Sequence, residues 1–309
     1  MVRCLIFTFY TFMKRYICLW LVISMITSCD FIRTNRSGHH TTSGNESVVD
    51  LDVIAQTKIA SVGEYRDLLH QIDQGELKSI EVAATLLKNC DLDSISCDSM
   101  FYDYNNFLEL ATSNYLENNE LISSQLANST SKDSIDQIVE MLSPYGIGLV
   151  SSEGAWYLEP QSDYLLKNFG PKLSTAYREY LNIEVQEQKK RFAEDGSILI
   201  PIDSLASRII TRENFMVRYP DFISGKIAQD QYSQYLGAYL AGMDNSKVFD
   251  NVTNLLKEEP RKSFELFIER NPDKKSTEIV KAYLDLLGST NFNYTDKVDS
   301  FLLAKVYQE

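Results

Sequence analysis

The chain of 309 residues repeats one short pattern near its C-terminus. Residues 215–221 read FMVRYPD and residues 267–273 read FIERNPD, so both follow F-x-x-R-x-P-D. An apolar run with helical period follows each copy, and both runs contain Ala-Tyr-Leu. Because proline restricts the residue before it and suits the first turn of a helix, it ends one helix and introduces the next. The pattern therefore predicts a repeated helix pair, over residues 205–243 and 261–287.

Helical periodicity also dominates the region before this repeat. Apolar side chains recur at spacings of three and four in residues 63–74 and again in residues 76–89, on either side of Gly75. These two segments are typical of a helical hairpin. Further helices are predicted at 100–116, 120–126 and 133–142, from Pro171 to about Gly196, and at 203–218 with Asp203 as the N-cap.

Two short stretches are typical of β-strands instead. Residues 146–159 hold two apolar runs around Ser-Ser-Glu-Gly, which predicts a β-hairpin. Residues 197–202, SILIPI, predict a third strand that pairs with it as an edge strand. The expected fold is mostly α, an irregular α-solenoid-like array of helical hairpins with a small β-hairpin or three-stranded insertion. We expect an N-terminal helical subdomain over 61–145 and a C-terminal one over 146–309.

Residues 205–290 resemble helical-repeat proteins of the tetratricopeptide type, in which a proline near the turn between helices is common. The two copies of F-x-x-R-x-P-D are 52 residues apart, so they depart from the 34-residue period of that family. The resemblance implies a scaffold that binds partners, and it implies no particular chemistry.

The N-terminus has the features of a secretory signal peptide. Lys14 and Arg15 precede an apolar run over 16–26, which is too short to span a membrane, and two small residues lead to Cys29. Residues 26–29, Ile-Thr-Ser-Cys, resemble the lipobox of bacterial lipoproteins. The resemblance implies that residues 1–28 are removed and that Cys29 carries lipid on its sulfur.

An apolar stretch precedes Met13, which leaves two interpretations of the start. In the first, Met13 is the true start of the protein. In the second, Met1 is the start and residues 5–26 form a signal anchor interrupted by two basic residues. Residues 29–60 are assigned to a flexible tether, because most of this segment is rich in Ser, Thr, Asn and Gly and buries little apolar surface.

The charge of the chain restricts its partners. Loss of residues 1–28 removes three basic side chains and leaves 27 basic and 43 acidic ones, a formal net charge of −16. Nucleic acid is therefore not an expected partner. Contact with a membrane is expected through the N-terminal lipid, on the periplasmic face or the outer surface of a bacterial envelope.

Cys90 and Cys97 flank a turn-rich stretch of six residues. In an oxidising compartment this spacing favours a disulfide, and two unpaired structural thiols are the alternative. The sequence places no further His or Cys near them, so neither a metal site nor a cofactor is expected.

Motifs of nucleophilic, metal-dependent and nucleotide-dependent catalysis do not occur in the sequence. The candidate ligand residues are Glu153, Trp156 and Tyr157 on the predicted hairpin, since an aromatic pair stacks on sugars or peptide edges; anchoring of Trp156 in the core is the simpler interpretation. The expected function is a non-enzymatic binding or scaffold module with a protein or glycan partner. The alternatives are an envelope hydrolase acting through carboxylates and an inhibitor or immunity-type lipoprotein.

Overall fold

The computed structural model describes residues 50–128 and 132–307. Within these ranges it contains thirteen α-helices and three two-stranded antiparallel sheets, so the predicted mostly α class is confirmed. The predicted signal peptide and Cys29 lie outside the described residues. Among the described helices, none has the length and hydrophobicity needed to cross a membrane.

The first part of the fold is entirely helical. Its helices are α1 Leu51–Ala55, α2 Val62–Gln71, α3 Leu77–Asn89, α4 Ser94–Asn118, α5 Glu120–Asn128 and α6 Lys132–Leu142. Helix α4 begins earlier than predicted because Asp93 caps it, accepting the amides of Ile95 and Ser96 at 3.0 Å. Residues 51–60, which the sequence assigned to the tether, bury Ile54 and Ile59 in the core.

Strand β1, Ile147–Ser152, pairs with strand β2, Ala155–Pro160, as the predicted hairpin. Glu153 and Gly154 form its two-residue turn with φ angles of 52° and 77°, the left-handed conformation that such a turn requires.

The predicted third strand does not join this hairpin. Strand β4, Ser197–Ile198, pairs instead with strand β3, Ala193–Glu194, and the two form a small sheet of their own. The reason is local. Asp195 and Gly196 have φ angles of 46° and 66°, so this two-residue turn folds the chain back on itself.

The second part of the fold adds seven helices within the described residues. They are α7 Ser162–Phe169, α8 Thr175–Gln188, α9 Ile202–Arg218, α10 Gly225–Ala241, α11 Glu258–Arg270, α12 Lys275–Ser289 and α13 Asp296–Lys305. The short strands β5, Gly242–Met243, and β6, Ser246–Lys247, pair between α10 and α11.

Three predicted helix boundaries are wrong in this part. Helix α8 begins after Ser174, which caps it, because Pro171 lies in a separate 3-10 turn, and the helix ends at Gln188, well before Gly196. Asp203 is not the N-cap of α9. Pro201 holds that position, and Asp203 lies within the first turn.

Both copies of the repeated pattern lie at the end of a helix. Phe215 in α9 and Phe267 in α11 are buried, and each helix ends at the arginine three residues later. In the following helices the aligned residues Tyr239 and Tyr283 are also wholly buried. The Tyr283 hydroxyl donates to the Leu240 carbonyl oxygen at 3.0 Å, which joins α12 to α10.

Helix α9 contributes to two hydrophobic cores. Its Phe215 packs in the core built from α1 to α8 and the hairpin, where aromatic rings such as Phe101 and Tyr177 meet edge to face with centroids 4.9 Å apart. Its Leu205 and Ile209 pack in the core of the C-terminal helices. The position of α9 therefore determines how the two cores meet.

Candidate functional site

Helices α8 and α9 meet through a row of ion pairs. Arg218 Nη1 lies 2.6 Å from Glu179 Oε1, and Arg212 Nη2 lies 2.6 Å from Glu184 Oε1. Arg212 Nη2 also donates to Glu187 Oε2. We call Arg208, Arg212, Arg218 and the three glutamates of α8 the arginine ladder.

The third arginine of the ladder, Arg208, contacts the C-terminal end of α8. Its guanidinium donates to the carbonyl oxygens of Lys190 and, at 3.4 Å, of Glu187. It also lies over the ring of Tyr235, 5.6 Å from the centroid. A cation is favourable at this end of a helix, where the last carbonyl groups are unsatisfied.

Arg212 is wholly buried at the centre of the ladder. Burial opposes its charge, but attraction to Glu184 and Glu187 outweighs this and holds the pKa of Arg212 well above its usual value. Two neutral groups of α10 complete the cluster. The Tyr235 hydroxyl donates to Glu187 Oε2 at 2.7 Å, and the Gln231 amide donates to Glu184 Oε1 at 3.1 Å.

The cluster is not fully satisfied. Arg212 Nε and Nη1 and Glu187 Oε1 are buried and have no hydrogen-bond partner among the described residues. A buried polar atom without a partner is uncommon, because it has lost its water without replacement. At the junction of α8 and α9 the ladder therefore contains one buried acceptor, on Glu187, and buried donors on Arg212 that form no hydrogen bond in the described ranges.

A groove of about 400 Å³ follows this junction on the outer side. We call it the α8–α9 groove; its lining residues are Glu179, Asn182, Ile183, Gln186, Glu187, Ser207, Arg208 and Thr211. Asn182 and Gln186 are exposed and lie one turn apart on α8, and Ser207 and Thr211 are exposed and lie one turn apart on α9. The walls therefore present uncharged polar side chains above the neutralised charges of the ladder.

A second groove, of about 520 Å³, lies between the start of α9 and helix α11. Ser263 donates to Asp203 Oδ1 at 3.0 Å and accepts from the Tyr239 hydroxyl, also at 3.0 Å. Burial raises the pKa of Tyr239, so this hydroxyl acts as a donor. The chain of three groups joins α9, α10 and α11 and has a structural role.

The structure does not bring the predicted hairpin residues to one surface. Trp156 packs against the first core together with Leu158, two residues away on the same face of β2. Tyr157 lies between them and therefore on the opposite face. Glu153 is exposed in the turn. This arrangement supports anchoring of the hairpin by Trp156.

Cys90 and Cys97 are buried free thiols whose Sγ atoms lie 3.6 Å apart. Burial raises the pKa of the Cys97 thiol to about 12, and its neighbour Cys90 contributes to the shift. The sequence spacing thus brings the two sulfurs into contact. Elsewhere in the described ranges, His70 is exposed at the end of α2, and no group of His, Cys, Asp and Glu is placed to hold a metal ion.

Sequence analysis did not identify the arginine ladder. One signal for it exists, because Arg212 continues the apolar spacing of Leu205 and Ile209 along α9 and so falls on the buried side of the helix.

Comparison with known proteins finds no relative of this chain. The sequence matches no protein-family model, and it matches neither a curated protein nor a solved structure. The function of the chain must therefore be inferred from its own residues.

Proposed function

We propose that this chain is a lipid-anchored protein of the bacterial envelope whose helical domain binds a protein or glycan partner without transforming it. The observation that carries the proposal is the α8–α9 groove above the arginine ladder. The carboxylates that border it, Glu179 and Glu187, are engaged by arginines. The exposed groups along its walls are amides and hydroxyls. Such groups form hydrogen bonds with a ligand but do not exchange protons near neutral pH.

The N-terminal sequence supports the anchor. A basic pair, a short apolar run and Ile-Thr-Ser-Cys at 26–29 are the features of a lipoprotein signal. The strongly negative charge of the remaining chain disfavours adsorption to anionic lipids, so attachment rests on lipid at Cys29. One acyl chain binds a membrane only weakly, and stable anchoring takes more than one.

The anchor is tested by the intact mass of the protein isolated from its native membrane, with Cys29→Ala as the control. We expect a chain that begins at residue 29 and carries added acyl mass, and we expect the control to lack that mass. An uncleaved chain with an unmodified Cys29 contradicts the envelope assignment.

Partner binding is tested by photocrosslinking in intact cells. A photoreactive amino acid replaces Gln186 in the α8–α9 groove or, as the matched control, Gln125, an exposed amide residue on α5. We expect one discrete adduct from position 186 and none from position 125. The absence of an adduct at position 186 speaks against a stable partner at this groove.

A further inference from the structure

We propose that the α8–α9 groove binds an extended peptide segment of a partner protein, mainly through the backbone of that peptide. This inference rests on the proposed binding function and names the class of ligand. The groove is bounded by two helices that present paired polar side chains, Asn182 with Gln186 on α8 and Ser207 with Thr211 on α9.

The spacing of these pairs matches an extended chain. Residues four apart on a helix are separated by about 6 Å along its axis. Alternate residues of an extended peptide are separated by about 6.6 Å. A peptide that lies along the groove therefore meets a polar side chain on each wall at every second residue.

The hydrogen-bonding state of the walls also fits a peptide backbone. Asn182 uses its amide group to donate to the Arg178 carbonyl at 2.7 Å, which leaves its side-chain oxygen as an acceptor. The hydroxyls of Ser207 and Thr211 donate to carbonyl groups of α9, each at 2.9 Å, so their oxygens also accept. These acceptors suit the N–H groups of a peptide.

Gln186 supplies the complementary group. It makes no side-chain hydrogen bond within the described part of the chain, and it is exposed on the wall of the groove. Its amide group is therefore available to donate to a peptide carbonyl, and its oxygen to accept.

The charges below the groove favour a backbone ligand over a charged one. Glu179 pairs with Arg218, and Glu187 pairs with Arg212, so neither carboxylate acts as a free charge. Ile183 provides an apolar contact for a ligand side chain between the polar rows.

The test uses the full chain in detergent micelles and a phage-displayed library of random dodecapeptides as the probe. Selected peptides are synthesised, and their affinity is measured by calorimetry. We expect the double substitution Gln186→Ala with Thr211→Val to weaken binding by about tenfold or more. Gln125→Ala is the control and should leave affinity unchanged. Because all three positions are exposed, circular dichroism melting curves of the variants should match that of the natural chain.

A scan of N-methylated peptides tests the backbone register. N-methylation removes one peptide donor, so the few consecutive positions that lie between the two walls should lose affinity, and the other positions of the dodecapeptide should keep it. Equal effects at all positions, or no effect of the groove substitutions, overturn the proposal. Failure to select any peptide also overturns the proposal. If the chain binds chitin hexasaccharide and the double substitution abolishes that binding, the ligand of the groove is a glycan and the peptide proposal is wrong. If a crosslinked adduct at position 186 is still found in any of these cases, the groove binds a partner. Only the proposal that the ligand is an extended peptide is then rejected.

Discussion

Glu213 binds Ser276, the second residue of helix α12, which lies 63 residues later in the chain, and so caps that helix. Its carboxylate accepts the backbone amides of Lys275 at 2.8 Å and of Ser276 at 3.1 Å, and also the Ser276 hydroxyl. The first amides of a helix have no partner within the helix, and a negative charge is favourable at that end. Glu213 thereby joins α9 of the first helix pair to α12 of the second.

Removal of this cap should destabilise the fold. In Glu213→Ala the buried amide of Ser276 loses its partner, which is expected to cost about 1–3 kcal/mol of unfolding free energy. Glu213→Gln should cost less, because its amide oxygen still accepts. Urea unfolding measures both. Glu265→Ala, an exposed glutamate on α11, is the control and should change little. An unchanged urea midpoint for Glu213→Ala contradicts the capping role.

The arginine ladder offers a second comparison within one helix. Arg212 is wholly buried, whereas Arg218 is more than half exposed. Arg212→Met leaves Glu184 and Glu187 without a counter-charge and should cost about 3–5 kcal/mol. Arg218→Met should have little effect, because exposed ion pairs contribute little. Urea unfolding of the two variants checks the difference.

A compensated variant distinguishes loss of charge balance from loss of packing. Arg212→Met combined with Glu184→Gln and Glu187→Gln removes the uncompensated carboxylates and should recover much of the stability. If the triple variant is as unstable as Arg212→Met alone, packing and not charge explains the effect.

The sequence predicted those structural features that depend on residues close together in the chain. Helical periodicity located most helices, and the Ser-Ser-Glu-Gly stretch located the hairpin, because both patterns are local. The prediction failed where a residue bonds to a distant element. The sequence predicts Asp203 as an N-cap, but its carboxylate accepts a hydrogen bond from the Ser263 hydroxyl on α11, 60 residues away. Arg212 carries a signal in its position on an apolar stripe, but its partners are determined by the packing of α8 on α9.

Asp98 provides a pH-dependent prediction. Its carboxylate accepts the Ser174 amide at 2.9 Å at the start of α8, and burial raises its pKa even though the bonds to Ser174 oppose the shift. The folded state therefore binds a proton more tightly than the unfolded state. The contribution of Asp98 to stability is greatest at low pH and falls as pH rises through the raised pKa.

Asp98→Asn should remove this dependence and keep an oxygen acceptor for Ser174. We expect the variant to be more stable than the natural chain at neutral pH, with the difference shrinking as the pH is lowered through the raised pKa of Asp98. Urea unfolding across this range gives the comparison. Asp98→Ala is the control; it leaves the Ser174 amide without this acceptor and should lose about 1 kcal/mol. Parallel pH profiles for Asp98→Asn and the natural chain would falsify the assignment.

The thiol pair gives the last prediction. If the chain lies in the bacterial envelope as proposed, we expect Cys90 and Cys97 to form a disulfide there, because their sulfurs already touch and that compartment is oxidising. The thiolate is the reactive form, and the pKa of Cys97 is raised to about 12, so oxidation should be slow once the chain has folded. Closing this short loop should add about 2 kcal/mol of stability. Alkylation of the unfolded protein, read in the peptide that spans residues 90–97, should label both cysteines only after reduction. Labelling without reductant would show that the pair remains reduced, as the alternative of two structural thiols requires.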